Sequence, residues 1–414
     1  MILPPKKLKN LPPYIFGRIK TLGLEAASNK LDVIDLSMGN PDLPTPQPIV
    51  DRLVDTVAHH PRTHRYPQAK GMPKFRKAVA DWMKKRFEIN LNPESEVCSL
   101  IGSKEGIANL CQSYMRAGDI ALVPSPCYPV HFYGVVLSQG TPHLLPINAK
   151  NNYLPELEKI PEKVARRAKI FFLNYPNNPT AAVIEDTHYL KEVIRFAKKY
   201  GILVCYDNAY SEIAFDGYEP GSFFQIPGSR DVGLEFHSFS KTFNMAGWRL
   251  GWACGPEKLL GPLVKFKSYI DYGAPTFIQL SGVKALEIWP GCVKELVATY
   301  QRRRDYLHEG LTSLGWNVNK PKATMYLWAE IPAPYKKMGS LNFCEKLIKE
   351  TGVALSPGVG FGKAGEGYVR FALVTRESRM YDVLLRLKKF QGISGVTIHK
   401  PKVFDQKSGA GHEG

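Results

Sequence analysis

Five short apolar or β-branched runs, at residues 97–101, 120–123, 169–173, 203–206 and 234–237, each give way to polar residues rich in Gly, Pro, Asn or Ser. Helix-forming stretches lie between them. Strand-like runs alternating with helical ones predict an α/β fold: a large domain with a mostly parallel sheet covered by helices on both faces. Sheets of this kind gather ligands at the carboxyl ends of their strands. The residues just after each run are therefore the candidates for chemistry.

Those residues complement one another. The first run leads into Gly102-Ser-Lys-Glu-Gly106 and a helix over 107–115. A glycine-bracketed helix start points free N–H groups outward, which suits an anion. Pro124-Ser-Pro-Cys-Tyr-Pro129 follows the second run and puts Tyr128 at the rim. The third ends in Asn174-Tyr-Pro-Asn-Asn-Pro-Thr180, the fourth in Asp207-Asn-Ala-Tyr210. The fifth enters His237-Ser-Phe-Ser-Lys-Thr-Phe-Asn-Met-Ala-Gly-Trp-Arg-Leu-Gly251. Ser238 and Ser240 alternate there, so on extended backbone both hydroxyls face one way. Lys241 follows where the chain must turn, and Arg249 stands eight residues on. Two hydroxyls and a guanidinium can hold a phosphate while the lysine amine stays free for a carbonyl. Alone, the stretch reads equally well as a surface lysine in a serine-rich loop. The other four ends supply what it lacks: an anion cradle, an aromatic face, an amide, and a carboxylate with a phenol.

At 414 residues the chain exceeds one typical core, which predicts two domains. The expected division is an N-terminal arm and part of a small domain over 1–45, a large cofactor-binding domain over 46–287, the rest of a small α+β domain over 288–392, and a mobile tail over 393–414. The small domain is thus made from both chain ends. Helices are expected at 19–29, 47–59, 73–88, 258–286, 293–314, 341–350 and 376–391, and further strands at 32–36, 323–330, 351–355 and 367–373. After the strand at 32–36, Ser37-Met-Gly-Asn-Pro-Asp-Leu-Pro44 forms an irregular turn whose glycine permits close approach of backbone to a ligand.

The formal net charge of +17 raises nucleic acid as a partner. Lysines and arginines are spread through the helical stretches, however, and the compact runs at 6–9 and 301–304 are short, so solvated faces are the better account. Seven separated cysteines with no Cys-x-x-Cys pair argue against a disulfide framework or zinc site and for a reducing compartment. No run approaches a membrane span. A cytoplasmic protein with no metal, nucleic-acid or membrane partner is expected.

The set resembles the pyridoxal-phosphate-dependent aminotransferases of fold type I, class I/II, from about residue 11 to 391. The Ser-x-Ser-Lys and Gly-Trp-Arg-Leu-Gly segment carries the likeness, with Asn-Pro-Thr, Asp-x-x-Tyr and Arg370 in the family's order. The chain looks most like bacterial alanine (glutamate–pyruvate) aminotransferases. That closer likeness lies in Pro12-Pro-Tyr-Ile-Phe16, Ser37-Met-Gly-Asn-Pro-Asp42, Gly102-Ser-Lys-Glu-Gly106, Asn244-Met-Ala-Gly-Trp248 and Val369-Arg-Phe-Ala-Leu373. LL-diaminopimelate aminotransferases are similar neighbours.

The resemblance implies pyridoxal 5'-phosphate as cofactor, with Lys241 as its Schiff-base lysine and proton carrier. It implies Asp207 at the pyridine nitrogen, Tyr210 and Asn178 at the ring oxygen, and Tyr128 over the ring. Ser103, Lys104, Ser238, Ser240 and Arg249 would hold the phosphate, joined by Tyr66 from a neighbouring subunit, so that a homodimer shares its active sites. Arg370 would fork the substrate α-carboxylate, beside Gly39 and Asn178. Tyr14 is a candidate for shaping the pocket. Two positions depart from the pattern: Ala181 stands where the family often has Gly, and no second arginine for a distal carboxylate is evident in Ser268-Tyr-Ile-Asp-Tyr-Gly-Ala-Pro-Thr-Phe277. The implied activity is ping-pong transfer of an amino group between an L-amino acid and a 2-oxo acid, with alanine and 2-oxoglutarate favoured. LL-diaminopimelate or aspartate transamination, or a carbon–sulfur lyase of the same fold, are the alternatives.

Overall fold

The computed structural model describes residues 15–401 together with Leu8 and Leu11. Tyr14 and most of the expected tail lie outside the described residues.

Seven strands form the central sheet: β2 (Val97–Leu100), β3 (Ile120–Ser125), β4 (Thr141–Pro146), β5 (Ala168–Asn174), β6 (Leu203–Asp207), β7 (Gly233–Ser238) and β8 (Gly251–Cys254), in the order β2-β8-β7-β6-β5-β3-β4. β4, β3, β5, β6 and β7 run parallel, and β8 is antiparallel to both its neighbours. Four of the five expected runs lie wholly within these strands, and the first overruns β2 by Ile101 alone. Side chains alternate between two cores: Phe171 and Leu173 of β5 enter one, Ile170 and Phe172 the other. Burial on both faces is why the runs read as continuously apolar rather than alternating.

Two strands of this sheet were not anticipated. β4, Thr-Pro-His-Leu-Leu-Pro, is a largely exposed edge strand, and its prolines are tolerated there because an edge leaves N–H groups unpaired anyway. β8 follows the Gly-Trp-Arg-Leu segment directly and reads as its continuation. It pairs Gly251 with both Leu100 and Ser238. A Cβ at Gly251 would lie 2.7 Å from the His237 carbonyl and 2.9 Å from the Ser103 nitrogen. Only glycine lets β2 and β7 close on this point.

Beneath the sheet ends sits a buried carboxylate. Glu235 is fully buried; Asn208 Nδ2 donates to its Oε1 at 2.9 Å, and the Ser222 hydroxyl and Phe223 N–H donate to Oε2 at 2.6 and 3.0 Å. His237 Nε2 is 2.9 Å from Oε1, and its ring stacks on Trp252 at 4.7 Å. Removing one member of such a network strands the others. Glu235→Ala is expected to lower unfolding stability by about 3–5 kcal/mol, read as a reduced midpoint in urea denaturation. An unchanged midpoint would refute that account.

The second unit holds the antiparallel sheet β11-β12-β9, built from β9 (Tyr326–Glu330), β11 (Ser356–Pro357) and β12 (Tyr368–Ala372). Its core includes Leu307, Leu347, Phe371 and Leu384. β1 (Ile34–Asp35) pairs parallel with β10 (Val353–Ala354) and brings the start of the chain onto this unit. The helix Ile15–Ser28 starts earlier than expected and docks on Ser340–Thr351 through a 2.6 Å ion pair between Arg18 and Glu345. The region expected as one helix over 258–286 is two, Glu257–Ile270 and Thr276–Ile288. Gly273, at φ +82°, and Pro275 separate them, since proline cannot donate to a continuing helix. Among the described residues no helix is long and apolar enough to cross a membrane.

Candidate active site

The strand ends converge on two adjoining cavities. The larger, of about 710 Å³, reaches from Phe16, Lys20 and Met38 inward to Lys241 and Arg370. The deeper, of about 120 Å³, is lined by Ser103, Asn174, Asp207, Ser238 and Ser240. Lys104, Tyr128, Asn178, Tyr210, Lys241 and Arg249 face both.

Lys241 lies in the helical turn Phe239–Thr242 that follows β7 directly. Its amine donates to the Gly39 carbonyl. Burial holds the amine below the usual lysine range; Tyr326 opposes that and the nearby Arg370 and Arg249 cations reinforce it. The site thus favours the neutral, nucleophilic form of the amine. The serines differ from expectation. Ser238 ends the strand, but Ser240 is inside the turn, where its N–H donates to the Ser238 hydroxyl at 3.2 Å. Both line the deep cavity because the turn, not strand alternation, brings them there.

Asp207 closes β6. One carboxylate oxygen is 3.1 Å from His131 Nε2, and the other, Oδ1, is buried with no hydrogen-bond partner among the described residues. Sequence reading missed His131. Its ring stacks on Phe172 at 5.3 Å, and its place three residues after Tyr128 on Pro129–Leu137 was the available signal.

A polar chain runs across the cavity. Asn178 Nδ2 donates to the Tyr210 hydroxyl at 3.4 Å, and its Oδ1 accepts from Arg370 at 2.6 Å. Arg370 also donates to the Ser37 carbonyl at 2.9 Å, while its Nε is buried without a partner among the described residues. The guanidinium lies between the rings of Tyr326, at 4.1 Å, and Phe361, at 4.7 Å. Neither aromatic was anticipated. The Tyr326 hydroxyl is 2.9 Å from that of Tyr210, and a Cβ on Gly39 would collide with it, so Gly39 stands where backbone must approach closely.

At the opposite end the helix Ser103–Tyr114 begins at Ser103, four residues earlier than expected. Its first N–H groups have no intrahelical partners. Arg249, at φ +55°, folds back toward Gly102, where a Cβ would lie 2.5 Å from its Nη2. Burial and Arg249 both lower the pKa of Lys104, whose amine is 6.0 Å from the Tyr128 ring centre. Tyr66 is not brought into its own chain's site. It is 84% exposed and packs on Tyr272 with ring centres 4.7 Å apart.

Residues 31–386 match the family described as aminotransferase class I and II. The chain belongs to that family. An LL-diaminopimelate aminotransferase of Moorella thermoacetica is 47% identical over 387 residues, 94% of this chain and 98% of that one. Among solved structures, substrate-bound BacF from Bacillus subtilis superposes with a TM-score of 0.90 at 35% identity, over 94% of this chain and 98% of that one. A probable N-succinyldiaminopimelate aminotransferase from Thermus thermophilus gives 0.84 at 34% identity, over 91% and 99%.

As an aminotransferase of class I and II the protein uses pyridoxal 5'-phosphate, and the site suits that group. Asp207 Oδ1 is a buried acceptor awaiting a protonated nitrogen. The glycine-bounded helix start at Ser103 with Arg249 suits a phosphate, and Lys241 lines the same cavity.

Proposed function

We propose that the protein transfers an amino group between L-alanine and 2-oxoglutarate in two half-reactions. The observation that carries the reading is the placement of Arg370 and Lys241 on one cavity, both donating to the Ser37–Gly39 segment. A guanidinium that forks an α-carboxylate there directs the substrate amino group and Cα toward the lysine amine. When bound, pyridoxal 5'-phosphate supplies the carbonyl that captures the amino group and the ring that delocalises the electron pair released at Cα. Lys241 Nζ moves the proton to and from Cα, its lowered pKa keeping it competent as a base. Asp207 Oδ1 holds a proton at the ring nitrogen, and His131 fixes the carboxylate. Tyr210 and Asn178 would hydrogen-bond the ring oxygen, Tyr128 would pack on the ring, and Ser103, Lys104, Ser238, Ser240 and Arg249 would hold the phosphate.

A small apolar side chain would lie against Met38 and Phe16, which supports alanine. Arg249 and Arg370 are the two arginines among the cavity's described lining residues, and neither is placed for a distal carboxylate. Lys20 at the mouth is the remaining cation for 2-oxoglutarate. The exposed cluster of Tyr66, Tyr269, Ile270 and Tyr272 supports a homodimer in which Tyr66 reaches the partner's phosphate site. A second reading, LL-diaminopimelate, is favoured by the similar Moorella protein of that name and by opposite charges, Lys20 and Asp35, on one wall. Those could meet the distal ammonium and carboxylate of such a substrate.

Mixing the loaded enzyme separately with alanine, glutamate, aspartate and LL-diaminopimelate decides between them. Loss of the cofactor's visible absorbance should be fastest with alanine and glutamate. Fastest loss with LL-diaminopimelate would replace the first reading by the second, and loss with none would end both.

A further inference from the structure

The reverse face of the same strand ends carries a second cavity. On β6, Tyr206 and Asp207 point to opposite faces of the sheet. Asp207 lines the deep catalytic cavity, and Tyr206 lines one of about 430 Å³ behind it. No described residue lines both this cavity and the catalytic pair.

Three phenols line the second cavity, and two of them are satisfied. Tyr175 donates to the Tyr153 carbonyl at 2.6 Å, and Tyr218 to the Ile184 carbonyl at 2.9 Å. Tyr206 is 4% exposed and stacks on Phe223 at 5.4 Å, yet its hydroxyl has no hydrogen-bond partner among the described residues. Its oxygen is not among the sealed, unpaired atoms of the interior, so it is reached through the cavity. Burial, with Glu235 nearby, pushes the phenol well above the usual tyrosine range. The group is therefore an O–H donor without an acceptor, which buried polar groups seldom are.

The exposed edge of the cavity offers charge of one sign. The helix His188–Tyr200 starts there, and its N-cap residue Thr187 makes no side-chain capping bond. Lys191, one turn in, has no ion-pair partner among the described residues and is the one charged side chain among those lining the cavity. A helix N-terminus beside an unpaired ammonium favours an anion. Much of the remaining wall is apolar and flat-sided, including Pro176, Leu190, Pro220, Ile226 and Pro227.

We propose that this cavity binds an aromatic monocarboxylate bearing a second oxygen on its ring system, the carboxylate at Thr187 and Lys191 and the ring oxygen accepting from Tyr206. A dry cavity of about 150 Å³ already holds benzene, so the space here takes two fused rings with their polar groups. One cation and no lining carboxylate select a single negative charge over a dicarboxylate or an amine. The site is independent of which amino acid the catalytic cavity takes.

The test is calorimetric titration of 6-hydroxy-2-naphthoate into the cofactor-loaded protein, with 2-naphthoate, which lacks the ring hydroxyl, as the paired probe. Saturable binding of both is expected. Tyr206→Phe keeps the ring on Phe223 and loses only the O–H. It should weaken 6-hydroxy-2-naphthoate about three- to tenfold, the scale of one hydrogen bond, and leave 2-naphthoate unchanged. Lys191→Glu, at an exposed position, should weaken both probes. Arg370→Ala should retain a site of wild-type affinity, because that arginine grips carboxylates only in the catalytic cavity. No saturable binding at millimolar probe, equal responses of the two probes to Tyr206→Phe, or no remaining site in Arg370→Ala would overturn the proposal.

Discussion

Lys241→Ala is expected to slow each half-reaction by at least about a thousandfold, within the range that positioned proton transfer contributes. The variant loses the only amine in the described site that faces both cavities besides Lys104, which stands at the phosphate end. The fold should survive. The hydrogen bond that Lys241 makes is to the Gly39 carbonyl, and truncation also removes a desolvated amine from the neighbourhood of Arg370 and Arg249. A thermal midpoint within a few degrees of wild type, together with a lost alanine half-reaction, is the expected pair of results. Stopped-flow rates equal to wild type in a protein loaded with cofactor would exclude Lys241 as the proton carrier.

Arg370→Ala is the second large effect. Fork-to-fork recognition of a carboxylate is among the stronger polar contacts, and truncating one partner of a buried charged pair costs about 2–5 kcal/mol. That corresponds to a loss of roughly 30- to 4,000-fold in kcat/KM. The loss should be similar for every amino acid and oxo acid, because all share the α-carboxylate. Arg370→Lys should fall between, keeping the charge but not the planar fork. Part of the damage is indirect: Asn178 Oδ1 and the Ser37 carbonyl lose their donor, and the rings of Tyr326 and Phe361 lose the group packed between them. A loss confined to one substrate would reassign Arg370 to a side-chain pocket.

What the sequence disclosed divides along physical lines. The parallel sheet and its strand ends were legible because doubly buried strands and the turns after them leave a local mark: apolar runs, then Gly, Pro, Asn and Ser. Lys241, Asp207, Tyr210, Asn178 and Arg249 stand in those turns, and the structure gathers all five around one pair of cavities. Ser240 shows the limit of local geometry, since one helical turn replaced the assumed extended backbone without moving the residue out of the cavity. His131, Tyr326 and Phe361 left no such mark. Tyr326 meets Tyr210 across 116 positions, and nothing near either residue states the register that aligns them. β8 was hidden because an antiparallel return strand inside a parallel sheet breaks the alternation that reveals its neighbours.

Arg370 donates to the Ser37 carbonyl across 333 positions, and β1 lies against β10 across nearly as many. A nascent chain emerging from its N-terminus can complete the whole central sheet, and so the cofactor cradle, more than a hundred residues before Arg370 is made. Closing so long a loop adds little further entropy cost per added residue, yet it must wait for synthesis to finish. The protein can therefore acquire the means to hold its cofactor well before the means to select a substrate.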